Sequence, residues 1–139
     1  MKKIAIAALA AITLSAQPAQ ATEWNCPQWR QLALDVGFSK RDWVTLDKIL
    51  YRESRCRPEA RGLNKKPDGT VWSTDLGLSQ INNYSWVTYL RNLGIIKMSD
   101  DLLHPRTNLR AAKALYDYSK SKGYSPWYQW RIGSSFYRG

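Results

Sequence analysis

The sequence predicts an α+β domain, mostly helical, with one small β-hairpin. Two observations carry this. Apolar residues recur at helical spacing in four separate stretches, several of them bounded by capping or stop residues. Residues 60–80 break that rhythm and are rich in turn formers.

The elements follow in chain order. Lys2 and Lys3 precede an apolar run from Ile4 to Leu14, and Ala19-Gln20-Ala21 is a small-x-small cleavage site. Residues 1–21 are therefore expected to be a secretory signal peptide, with 22–139 as one domain. The apolar run is too short for a permanent membrane span, so no stable membrane anchor is expected. From Pro27 to Val36, Trp29, Leu32, Ala33 and Val36 have helical spacing, and Gly37 stops the stretch. Ser39 suits an N-cap, with Asp42 three residues on. The helix it opens should run to about Arg55, with Trp43, Leu46, Leu50 and Glu53 on or beside one buried stripe. Pro58 opposes continuation. Asn64, Pro67, Asp68 and Gly69 read as turn formers, and Val71 and Trp72 as part of a short strand. Helical character is expected to return at 78–82 and again from Trp86 to Leu93, with Gly94 as a stop. Asn108 can cap a helix from Leu109 to about Lys122, ended by Gly123. Pro126 can open a last short helix.

The chain has 21 basic and 11 acidic residues, a net charge of +10. Without Lys2 and Lys3 the balance is 19 to 11, or +8. An exported basic protein is drawn to polyanions such as cell walls. No basic block or aromatic-basic motif points to nucleic acid. Cys26 and Cys56 permit one intramolecular disulfide, which an oxidising compartment favours. In the chain-entropy picture it contributes roughly 3 kcal/mol. No His/Cys/Asp grouping has metal-ligand spacing, so neither a metal nor another cofactor is expected.

Glu53 is the carboxylate placed to do chemistry. At a helix end among Trp, Leu and Ile, burial disfavours its charged form, as a general acid requires. Arg52, Arg55 and Arg57 lie close, and an ion pair would favour the charged form instead. A second carboxylate, Asp75, follows 22 residues later in a compact polar segment.

Glu53-Ser54, Pro58, Ala60, Asp75-x-Gly77-Leu78-x-Gln80-Ile81-Asn82 and Asn108-Leu109-x-Ala111-Ala112 form an ordered set. It resembles the lysozyme superfamily, and most of all the soluble lytic transglycosylase-like domain of small exported type. The likeness spans about residues 42–127, and Ser73 to Asn82 is also similar to animal-type lysozymes. The resemblance implies a lysozyme-like fold with its hairpin beside the cleft. The implied substrate is the β-1,4 bond from N-acetylmuramic acid to N-acetylglucosamine in peptidoglycan glycan strands. Glu53 would be the general acid and base of a cycle that closes a 1,6-anhydro ring. A lysozyme-type muramidase would use Asp75 as second carboxylate, and otherwise Asp75 braces the turn before Gly77. A wall-binding module without activity is the third possibility.

The same resemblance implies roles in substrate binding for Ser54, Gln80 and Asn82, with Ser54 bonding backbone and Gln80 bracing the turn as the alternatives. Tyr84 and Trp86 are candidates for stacking on sugar rings, though aromatics also build cores. Gly77 either holds a backbone shape that a side chain would block or admits sugar. The family often has an acidic residue or Asn before the Pro of the last long helix. Here His104 precedes Pro105 and reads as a loop or capping residue. Relatives place a Tyr-Asn pair near the end, where this chain has Pro126-Trp127-Tyr128-Gln129-Trp130. Tyr128 is the candidate substitute. Members of this type serve a secretion, conjugation or phage apparatus, and a monomer in the periplasm or outside the cell is expected.

Overall fold

A computed structural model describes residues 23–131. The expected signal peptide lies outside the described residues. A 3₁₀ turn, Pro27–Trp29, leads into α1, Arg30–Asp35. The single expected helix over 27–36 is thus two pieces, with Pro27 at the first-turn position of the 3₁₀ turn. α2 is Lys40–Ser54. Ser39 and Asp42 form a reciprocal capping box at its start, and Arg55 closes it in the left-handed region.

Three antiparallel strands follow: β1 Arg61–Lys65, β2 Val71–Leu76 and β3 Ile81–Asn82, in the order β1-β2-β3. Asn64 pairs with Ser73, and Asp75 with Asn82. The hairpin was expected, and the third strand was not. Helix was expected at 78–82, but Gly77 to Gln80 form a tight turn that returns the chain to β2. Asn82 then caps α3, Asn83–Asn92, by accepting the Ser85 N–H at 3.0 Å. α3 therefore starts three residues before Trp86. A 3₁₀ segment, Ser99–Leu103, precedes α4, Pro105–Ser121. The last helical piece is a 3₁₀ turn, Tyr128–Trp130, and starts after Pro126.

The core is the meeting of four elements. Trp43, Leu46, Ile49 and Leu50 of α2 are fully buried with Leu109, Ala112 and Leu115 of α4. Leu76 and Leu78 join them from the sheet and its turn, and Leu90 from α3. The Cys26–Cys56 disulfide ties the N-terminal segment to the end of α2, as expected. Buried Asp47 reinforces the same junction. Its carboxylate accepts the backbone N–H groups of Asn25 and Cys26 at 3.0 and 2.7 Å.

Two features join the helices to the sheet region. Asn108 does not cap α4. The helix begins at Pro105, because proline suits the first turn, and Asn108 lies wholly buried one turn inside. Its Oδ1 accepts the Ser79 N–H and Oγ–H, and its Nδ2 donates to the carbonyls of Leu76 and Leu102. The side chain thus satisfies four polar groups that the core would otherwise strand. Gly77 sits against it with φ +75°, and a Cβ there would fall 2.2 Å from the Leu102 carbonyl oxygen. Only glycine fits, and the reason is the blocked backbone shape.

At the other end, the Tyr116 hydroxyl of α4 donates to Asp42 of α2 at 2.9 Å. Partial burial would raise the Asp42 carboxyl, but hydrogen bonds from Ser39 and Tyr116 outweigh it and hold the group below its ordinary value. Burial, then the bond to Asp42, pushes the Tyr116 hydroxyl up to about 12.

Candidate active site

A cavity of about 290 Å³ opens where the end of α2, the sheet, the start of α3 and the C-terminal 3₁₀ turn converge. Glu53 and Asp75 both line it. Gln80, Ile81 and Asn82 form one wall, Trp86 and Leu115 another, and Gln129, Trp130 and Arg131 the rim from the C-terminal side. Six of the ten lining residues are polar or charged, which suits a hydroxyl-rich ligand better than an apolar one.

Glu53 is in the last turn of α2, with its side chain 25% exposed. It is neither solvated on a convex face nor remote from residues 75–80. Its Oε1 accepts both Nε–H, at 2.8 Å, and Nη2–H of Arg52. The same Nη2 donates to the Trp130 carbonyl at 2.6 Å. Arg52 therefore pins the carboxylate to the C-terminal turn through one oxygen. The other oxygen, Oε2, has no hydrogen bond among the described residues and is the one open to a ligand.

Asp75 is held differently. Oδ1 accepts from Asn82 Nδ2 at 2.7 Å, and Oδ2 from Asn64 Nδ2 at 3.1 Å. Both amides also donate to Ser73 Oγ, at 3.0 and 3.1 Å. The four side chains come from three strands and share one face, since Ser73 and Asp75 are two residues apart and each has an asparagine opposite. The result is a pre-organised polar floor whose carboxylate already has a partner on each oxygen.

Gln80 adopts φ +50° at the end of the turn. Its Nε2 donates to the carbonyls of Ala60 and Gly77 at 3.1 and 3.0 Å. Both amide hydrogens thus brace the loop, and only Oε1 remains for a ligand. Gly62 is pressed against that oxygen, since a Cβ there would approach it to 2.7 Å.

A family model described as lysozyme like domain matches residues 30–130, which covers both carboxylates and every lining residue except Arg131. The chain belongs to the lysozyme-like domain family. No curated protein and no solved structure matches it. Membership in this family points to an enzyme that acts on peptidoglycan. The α+β architecture, with four α-helices and a three-stranded sheet among the described residues, agrees with it. Among the described residues no helix is long and apolar enough to cross a membrane.

The lysozyme-like frame brings Glu53, Asp75, Gln80, Asn82 and Trp86 to one cavity, and leaves three expected residues outside its lining. Ser54 is buried, and its hydroxyl donates to the Leu50 carbonyl at 3.0 Å. Its direction follows from helix phase, because it stands one position from Glu53 toward the core. Tyr84 is 75% exposed and meets Trp72 edge-on, away from the cavity. Tyr128 stacks on Tyr124 instead of reaching Glu53. His104 precedes α4 without a side-chain capping bond. Trp86, in the lining, also touches Tyr89 and Tyr118 edge-on, so it serves wall and core together.

Several residues at the lysozyme-like site were missed. Asn64 and Ser73 had a local signal: Ser73 precedes Asp75 by two in a strand and so shares its face. Arg52 was noted as a neighbour of Glu53. Its bond to the Trp130 carbonyl, 78 residues away, had no sequence signal. Gln129, Trp130 and Arg131 enter the site only through the docking of the C-terminal turn. The Trp130 indole N–H donates to the Ser79 carbonyl at 2.8 Å and fixes that docking.

Proposed function

We propose that this protein is an exported peptidoglycan lytic transglycosylase that cleaves the N-acetylmuramic acid to N-acetylglucosamine bond. The observation that carries this is the asymmetry between the two carboxylates. Among the described residues Glu53 keeps one oxygen without a hydrogen-bond partner, while Asp75 has both engaged by asparagine amides. A single-carboxylate cycle needs one carboxyl oxygen open to the sugar and a fixed, polar surround, and this arrangement supports it.

In that cycle Glu53 protonates the bridging oxygen through Oε2, and the bond from that oxygen to the anomeric carbon breaks. Positive charge develops at the anomeric carbon, above the floor that carries Asp75. The 6-hydroxyl of the same sugar then closes on that carbon and returns its proton to Glu53. No water is consumed, and the product ends in a 1,6-anhydro ring. Arg52, by fixing Oε1, restrains the rotamer that presents Oε2. The leader-like residues 1–21 and the disulfide support export.

A muramidase reading has one observation in its favour, the presence of Asp75 in the same cavity as Glu53. Digestion of purified sacculi followed by mass spectrometry of the fragments separates the two. Anhydro ends are expected, and reducing ends would make the protein a hydrolase. Glu53→Gln should release nothing, because an amide cannot donate that proton. Undiminished clearing by Glu53→Gln would remove Glu53 from the chemistry, and binding of sacculi with no fragment released by the native protein would leave only a wall-binding role.

A further inference from the structure

Arg131 lines the cavity, yet neither resident carboxylate pairs with it. Asp75 is taken by Asn64 and Asn82, and Oε1 of Glu53 by Arg52. The guanidinium lies instead over the Tyr128 ring, 4.2 Å from its centroid. Tyr128 in turn stacks on Tyr124, with centroids 4.6 Å apart and planes 23° from parallel. The three groups form a ladder at the cavity rim. Its rings are 54% and 39% exposed, so it is not a core feature. Stacking orients the planar guanidinium and leaves its N–H edges unspent. Among the described residues Arg131 has no side-chain hydrogen bond or ion pair.

A pre-oriented guanidinium with open N–H donors fits a carboxylate, which it can grip through two parallel bonds. Arg52 is already spent on Glu53, and Asp75 is held by the neutral amides of Asn64 and Asn82, so among the described residues no side-chain contact in the cavity occupies Arg131. We infer that Arg131 is a carboxylate-binding residue and that the glycan accepted here carries a carboxylate near the scissile bond. This rests on the peptidoglycan reading above and narrows it to anionic strands over neutral ones. The carboxylate can belong to the lactyl group of the sugar or to an attached peptide, and the chemistry recognised is the same.

The test uses glycan strands stripped of peptide by an amidase, so that each lactyl group ends in a free carboxylate. Half are then neutralised to methyl amides with carbodiimide and methylamine. The native protein is expected to lose about tenfold in kcat/KM on neutralisation, as for one partly exposed charge-assisted contact. Arg131→Gln should show that loss already on charged strands and ignore neutralisation, with Arg131→Lys in between. Peptide-bearing strands form the third arm. A loss by Arg131→Gln on these alone assigns the carboxylate to the peptide. Equal rates for native protein and Arg131→Gln on all charged strands overturn the inference, as does an equal loss on neutral ones. Calorimetric binding of the same strands repeats the comparison without turnover. Strands bound but not cleaved would sink the enzymatic reading, and the effect of Arg131→Gln on binding would still decide the carboxylate site.

Discussion

Asp75 and Asn82 face each other across β2 and β3, with Asn82 Nδ2 donating to Asp75 Oδ1 at 2.7 Å. The same asparagine caps α3 through Oδ1 and reaches Ser73 Oγ. One side chain thus sets a carboxylate in the cavity and starts the helix that carries Trp86.

Asn82→Ala should therefore destabilise the fold by more than a lost cap alone. A cap is worth about 1 kcal/mol, and an unpaired, partly buried carboxylate oxygen adds about 1–2 kcal/mol. Asn82→Asp keeps the capping oxygen but sets a second negative charge against Asp75, so it should cost as much or more. Urea unfolding of the three proteins checks this. Aspartate matching asparagine would mean that the contact to Asp75 carries no energy.

Asp75→Asn distinguishes a supporting group from a nucleophile. In the transglycosylase reading, sacculus clearing should fall by no more than about tenfold, since the group contributes charge and not a bond. A hydrolase that needs this carboxylate should lose about a hundredfold or more. Turbidity rates on sacculi, with circular dichroism to confirm folding, read the difference.

Asn108→Ala should cost about 3–5 kcal/mol, because it strands the Ser79 N–H and the Leu76 and Leu102 carbonyls in the core. Gly77→Ala should be similarly severe, as it combines φ +75° with a Cβ 2.2 Å from a carbonyl oxygen. Chemical denaturation measures both. The double variant should lose less than the sum, since the two positions brace one turn.

The Asp42–Tyr116 contact predicts how stability depends on pH at both ends. Asp42 is held below its ordinary value, so its contribution is present above the unfolded carboxylate range and fades as acid titrates the folded group. Tyr116 is pushed up to about 12, so the unfolded chain ionises first and stability falls as pH rises from the ordinary tyrosine value toward 12. Thermal melts across pH should show both limbs. Tyr116→Phe should flatten the alkaline limb and weaken the acid one, and an unchanged profile would remove the contact from the account.

Much of this fold is written locally. Capping at Ser39 and Asp42 and the apolar stripe Trp43-Leu46-Leu50 repeat within a few residues, so periodicity and residue type reveal them; the glycine at 77 marks its turn, although the Leu102 carbonyl and Asn108 that exclude a side chain there are distant in sequence. The disulfide was legible because two cysteines leave one intramolecular pairing. Glu53, Asp75 and Gln80 stand out in one ordered motif, and the fold brings them to one cavity.

The rest depended on which surfaces meet. Residues 78–82 have apolar spacing that a helix would accept, but Gly77 to Gln80 turn the chain, Asn108 takes the Ser79 N–H, and Ile81 and Asn82 pair with β2. Asn108 resembles a cap until burial shows its amide joining the sheet turn to α4. The amides of Asn64 and Asn82 reach Asp75 only through strand register. Arg52 reaches Trp130, and Arg131 the cavity rim, only because the C-terminal turn docks against Ser79. Local pattern is read within one or two turns of chain. Contacts such as these, made between residues 7 to 78 positions apart, follow from strand register and packing, which decided which of the expected groups share the cavity and which lie outside it.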